Sequence, residues 1–201
     1  MREILEFFVT CPKGVEGLLR DEVLAIQPTE GDHILVYLSF GFDDFIEQLK
    51  QFPNETFRVY GYDREAQDGN LYYRPFSKEG FMSDLASSKA VMATAGFTLI
   101  SEALWLKKPM LALPMAGQFE QQLNGHCLEQ MGLGKNAPEP TKEAVGDFLY
   151  RLPEYRTSLA QHEARDNTAI LNKLDELLAD DCALACKFHA NRKAYATPEV
   201  D

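Results

Sequence analysis

The residues best suited to chemistry lie between positions 83 and 134, SDLASSKAVMATAGFTLISEALWLKKPMLALPMAGQFEQQLNGHCLEQMGLG. Within them Ala93-Thr-Ala-Gly-Phe-Thr98 reads as a strand-to-helix turn, where Gly96 removes side-chain bulk as a helix begins. Such a turn offers unpaired backbone N–H groups and the positive end of a helix dipole, a setting for a diphosphate. Thr98 can cap that helix or donate its hydroxyl to a phosphate oxygen. Glu102 follows one turn later, with Ser101 beside it, and an ionised carboxylate accepts from both vicinal hydroxyls of a ribose. The same Gly, Thr and Glu spacing also reads as a plain helix start with a capping glutamate.

A second helix opens with Gly117-Gln-Phe-Glu-Gln-Gln-Leu-Asn124, directly after the apolar run MLALP. In an open α/β sheet the loops after adjacent strands meet at the carboxyl edge, so Gln118, Glu120, Gln121, Gln122 and Asn124 would face the same crevice as Gly96. Amides and a carboxylate there suit sugar hydroxyls, and they equally suit a solvated helix start. Other polar groups carry less. Cys182, Cys186 and His189 offer three ligands without a fourth, so no metal site is expected. His126 has no residue to orient it as a base, and neither His33 nor His162 has a partner visible in sequence.

The elements that must hold this region alternate short apolar runs with helical patterns, the signature of strand-helix units building a parallel sheet. Strands are expected over residues 33–38, 56–60, 71–74, 90–93 and 110–113, and helices over 43–51, 78–87, 98–107, 119–131 and 142–150. The runs HILVYL and MLAL are almost wholly apolar, as strands covered on both faces are. Gln67-Asp-Gly-Asn70 is expected as a turn between two strands. Residues 153–179 read as one long helix with an apolar stripe from Leu159 to Leu178. The expected fold is α/β, a Rossmann-like open parallel sheet flanked by helices, with a long C-terminal helix. Its expected divisions are an appendage over residues 1–28, a ligand-binding α/β domain over 29–150, and a helix and tail over 151–201.

The 201 residues carry 31 acidic against 20 basic side chains, a formal net charge of -11 that repels nucleic acid unless the cations are gathered on one face. No window approaches the run of about 18 apolar residues that a membrane-spanning helix needs. The first residues lack a signal-peptide pattern, and the four cysteines form no CxxC pair. A cytoplasmic protein with reduced thiols is the expectation.

The run ATAGFTLISEALWLKKPMLALPMAGQFEQQLNG resembles the donor-site region of GT-B glycosyltransferases, the group that includes the peptidoglycan N-acetylglucosaminyltransferase. The resemblance extends over about residues 29–150. It implies a nucleoside-diphosphate sugar as ligand, UDP-linked, with no cofactor and no metal required. By position it places Gly96, Phe97 and Thr98 near the diphosphate, Glu102 on the ribose, and Gln121 with Gln122 on the donor sugar. It further implies that Phe76 lines the base pocket and that the turn ending at Gly41 approaches the phosphates.

Against that family's pattern no acceptor-binding domain is expected within these 201 residues, the Gln-Gln-Leu-Asn spacing is closer, and no clear Lys or Arg is offered to the diphosphate. The resemblance therefore implies the donor half of a hexosyltransferase that works with a separate acceptor-binding subunit or as a homodimer. A nucleotide-sugar-binding protein without turnover, or a remnant, is the alternative. Residues 7–23 resemble the opening of THUMP-containing ribosomal RNA methyltransferases, which implies an RNA-associated protein as a further alternative.

Overall fold

In the computed structural model residues 29, 31–38, 41–162 and 172 are described. The described elements lie within residues 11–164, one of two units into which the chain divides. In chain order they are β1 (His33–Tyr37), α1 (Asp43–Leu49), β2 (Thr56–Tyr60), β3 (Ala66–Asp68), β4 (Leu71–Tyr73), α2 (Lys78–Ser87), β5 (Ala90–Ala93), α3 (Phe97–Trp105), β6 (Met110–Ala112), α4 (Phe119–Gln130), β7 (Gly134–Asn136), α5 (Lys142–Tyr150) and α6 (Leu152–Gln161).

The strands join in one seven-stranded sheet of order β3-β4-β2-β1-β5-β6-β7. Every neighbouring pair is parallel except β3 with β4. This is the expected Rossmann-like α/β sheet, and its two faces explain the apolar runs. Along β1, Ile34 and Val36 enter one core while Leu35 enters the other. The same alternation recurs in β5, where Ala90 and Met92 oppose Val91 and Ala93. Side chains of period two on a sheet buried on both sides give its central strands a nearly continuous apolar run. The first core is closed by Phe45, Ile46 and Leu49 of α1 with Val145 and Phe148 of α5. The second is closed by Phe81 and Leu85 of α2, Ile100 and Ala103 of α3, and Leu128 of α4.

Where the chain differs from expectation, local polarity is the reason. Gln67 and Asp68, expected as a turn, belong to β3, an exposed three-residue edge strand whose pairing with β4 comes from the tight loop at Gly69 and Asn70. Asn70 steadies that loop from outside the sheet, its Nδ2 donating to the carbonyls of Leu49, Phe52 and Glu55 at 3.3, 2.8 and 3.1 Å. β7 carries Lys135 and half-buried Asn136, so its pattern is not that of a core strand. The helix expected to run unbroken over 153–179 ends at Gln161, because His162 turns to an extended conformation. Lys107 Nζ donates to the freed His162 carbonyl. The rest of that expected helix, and the appendage over 1–28, lie outside the described residues.

Candidate functional site

The chain runs from β1 outward through β2 to β4, then returns to place β5 on the other side of β1. Such a reversal splays the loops on either side and leaves a crevice outside the carboxyl ends of the strands. Register sets Tyr37 level with Tyr60 and Ala93, and Ala93 level with Ala112. The loops that follow carry Gly41, Phe76, Gly96 and Gln118 at this one edge. The turn at Gly41, the loop bearing Phe76 and the starts of α3 and α4 therefore open at the carboxyl edge of the sheet, while Glu102 lies further along α3.

At the crevice α3 begins with Gly96 as its N-cap, in extended conformation and with no side-chain cap. Thr98, expected as a possible cap, sits in the first turn instead, exposed to solvent. The Gly96 N–H is taken by the Thr94 carbonyl at 2.8 Å, and Ile100 N–H returns to the Gly96 carbonyl at 3.2 Å. Helix geometry leaves the N–H groups of Phe97, Thr98 and Leu99 without an intrahelical acceptor. A Cβ built on Gly96 would meet nothing within 4 Å.

One turn on, Glu102 is half-buried, and burial alone pushes its carboxyl above the usual carboxylate range. No described group donates to it. A diol supplying two O–H donors would suit a carboxylate placed in this way. Ser101 does not help, since its hydroxyl donates to the Phe97 carbonyl at 3.0 Å.

The start of α4 separates its two adjacent glutamines. Gln121 is engaged at both ends, its Oε1 accepting from Met115 N–H at 3.0 Å and its Nε2 donating to Gln118 Oε1 at 2.8 Å. It braces the loop before the helix, in which Gly117 takes φ +78, a left-handed value that favours glycine. Gln122 and Glu120 are exposed beside it. Asn124, buried at 8% exposure, donates from Nδ2 to the Ala95 carbonyl at 3.1 Å and so joins α4 to the turn that opens α3.

On the other flank Phe76 is 58% exposed and belongs to neither core. Its ring lies 6.4 Å from that of Tyr37 and 5.6 Å from that of buried Phe81. Tyr37, the last residue of β1, is a second exposed aromatic that the sequence reading passed over, although a polar-edged ring at a strand end was its visible signal. Arg74 is exposed at the same edge, close enough to act electrostatically on the Tyr60 hydroxyl. Gly41 has φ +97 and is exposed, while residues 39 and 40 before it lie outside the described set.

Beneath the crevice Asp84 of α2 ties the sheet to the helix. It pairs with Arg58, accepts from the Tyr60 hydroxyl at 2.6 Å, and its carbonyl lies 2.8 Å from His33 Nε2. His33 thus has a structural partner that sequence spacing did not reveal, and burial chiefly lowers its pKa. His126 is exposed on α4. Cys127 is a free thiol, and among the described residues no group of His, Cys, Asp and Glu is placed to hold a metal ion. Cys182, Cys186 and His189 lie outside them. No helix among the described residues is long and apolar enough to cross a membrane.

Solved glycosyltransferases share this fold. Spinosyn forosaminyltransferase SpnP matches with TM-score 0.56 at 18% identity, over 79% of this chain and 46% of its own. SnogD from Streptomyces nogalater matches with TM-score 0.51 at 16% identity, over 68% and 38%. VinC, solved in complex with DTDP, matches with TM-score 0.51 at 15% identity, over 70% and 38%. The fold is that of a GT-B glycosyltransferase domain. The pattern of Glycosyl transferase family 1 matches residues 12–153, and the chain belongs to that family. It spans less than half the length of the solved relatives, between 38% and 46%. No curated protein matches it.

Proposed function

We propose that residues 29–150 are the donor-binding half of a GT-B glycosyltransferase, which holds a nucleoside-diphosphate hexose, UDP-linked, at the crevice between β1 and β5. The observation that carries this reading is Glu102, a half-buried carboxylate without a donor, one turn beyond Thr98 in a helix whose start is uncapped. In this reading the diphosphate lies on the N–H groups of Phe97, Thr98 and Leu99, and the ribose diol donates to Glu102. The base stacks near Phe76 and Tyr37, and the sugar meets Gln122 and Glu120. Gln121 reaches the sugar only by giving up its bonds to Met115 and Gln118.

Transfer breaks the bond between the anomeric carbon and the diphosphate, so negative charge grows on the leaving oxygen. Preoriented N–H donors and a helix dipole stabilise that charge most in the transition state, without a metal. A base for the acceptor hydroxyl must come from the facing half, supplied from outside these residues. Phe119, 76% exposed at the start of α4, supports an apolar partner surface beside the crevice, on a second subunit or a second copy. A nucleotide-sugar donor is consistent with a cytoplasmic site of action.

Thermal unfolding with millimolar UDP, UDP-N-acetylglucosamine or DTDP tests the reading. A ligand at a hundred times its dissociation constant raises stability by about 2.7 kcal/mol. The midpoint is expected to rise most with the uridine compounds. A midpoint unmoved by all three would contradict nucleotide-sugar binding, and a rise with DTDP alone would overturn the choice of uridine.

A further inference from the structure

Asn124 is among the few buried polar residues of the described structure, and its amide spans 29 positions to reach the Ala95 carbonyl. That carbonyl belongs to the peptide joining Ala95 to Gly96, and the N–H of the same peptide is held by Thr94. A planar peptide gripped at both its oxygen and its nitrogen cannot rotate. Its orientation sets the direction in which the next peptides enter α3.

The grip also depends on where α4 lies. At Gly125 a Cβ would come within 2.3 Å of Asn136 Oδ1, so a glycine there lets the helix settle against β7. Gln121 fixes the preceding loop one turn earlier. Position 124 is thus anchored from both sides, and its side chain is directed at the one carbonyl adjacent to the α3 cap.

We infer that Asn124 is a positioning residue for the donor diphosphate, acting through the Ala95 carbonyl to hold the first N–H groups of α3 in their binding orientation. This rests on the nucleotide-sugar reading of the crevice. Without the Asn124 amide the turn is free to re-aim, and an array of N–H groups that converges on one ligand loses its geometry before the helix loses its stability. A purely structural role, by contrast, would lower the unfolding midpoint and leave selectivity for phosphate untouched.

Calorimetric titration of UDP and uridine into wild type, Asn124→Asp and Asn124→Ala separates these cases. Asn124→Asp keeps the shape and loses the donor. Asn124→Ala removes the donor without adding charge, and carries the comparison should the aspartate variant fail to fold. The expected result is an affinity for UDP about tenfold weaker in both variants, with uridine binding unchanged. Unchanged UDP affinity, or an equal loss for UDP and uridine, would overturn the positioning role while leaving the site reading intact. A wild type that binds neither compound would overturn both.

Discussion

Glu102→Gln is expected to weaken UDP binding roughly a hundredfold while leaving the chain folded. Hydrogen bonds to a charged acceptor contribute about 1.5–3 kcal/mol each, and a ribose diol makes two of them, of which a neutral amide keeps only part. The cost falls on binding and not on folding, since no described group depends on this carboxylate. Its titration gives the result a second signature. Burial raises the carboxyl pKa in the folded state, so the folded chain holds that proton more tightly than the unfolded chain. The stability it contributes is full below the ordinary carboxylate range and is lost as pH rises through the raised value. Denaturant unfolding across that window should show the wild type losing stability with rising pH and Glu102→Gln losing less. UDP affinity should move the other way in wild type, falling as acid protonates the acceptor, and should fall less in the variant, where only the phosphate of UDP itself titrates. Equal UDP affinity in the two proteins at neutral pH would contradict the assignment of Glu102 to the ribose.

Gly96→Val is the second variant with a large expected effect, because nothing in the fold requires glycine at that position. Its backbone angles, φ -69 and ψ 135, are open to any residue, and a Cβ there meets no atom within 4 Å. Valine is a poorer N-cap than glycine, by about 1 kcal/mol or less, and it restricts the unfolded chain by a similar amount. The unfolding midpoint should therefore hardly move. A branched side chain at the helix start would, however, occupy the space through which a diphosphate approaches the N–H groups, and UDP affinity is expected to fall by about a hundredfold or more. A variant that binds UDP normally would place the phosphates elsewhere. A variant that unfolds would show that Gly96 serves packing after all.

How much of this was readable in advance followed from burial. The central strands stand out in sequence since residues such as Ile34, Leu35 and Val36 enter cores on alternate faces, which leaves an unbroken apolar run. β3 and β7 do not, because Ala66-Gln-Asp68 is exposed throughout and Gly134-Lys-Asn136 is half polar, so pairing with a neighbour rather than composition makes them strands. Around the candidate site, the placing of Gly96, Thr98 and the Gln-rich helix start at one sheet edge was legible, since loops after adjacent parallel strands must share an edge. The division of labour within the group was not. Gln121 and Gln122 are the same residue in succession, yet a helix turns about 100° per residue, and only the first meets the Met115 N–H. The Asn124 bond to Ala95, the Asp84 contacts with Arg58 and Tyr60, and the pairing of Tyr37 with Phe76 all join residues far apart in the chain. Spacing carries no trace of such contacts.

The uncapped start of α3 is predicted to receive the phosphates, and an amide chemical-shift map recorded as UDP is titrated into the protein tests this most directly. The largest shifts are predicted for the N–H groups of Phe97, Thr98 and Leu99, with smaller ones at Gly41 and Gln122 and little change at the opposite edge of the sheet near His33. Shifts confined to other surfaces, or none at saturating UDP, would contradict it.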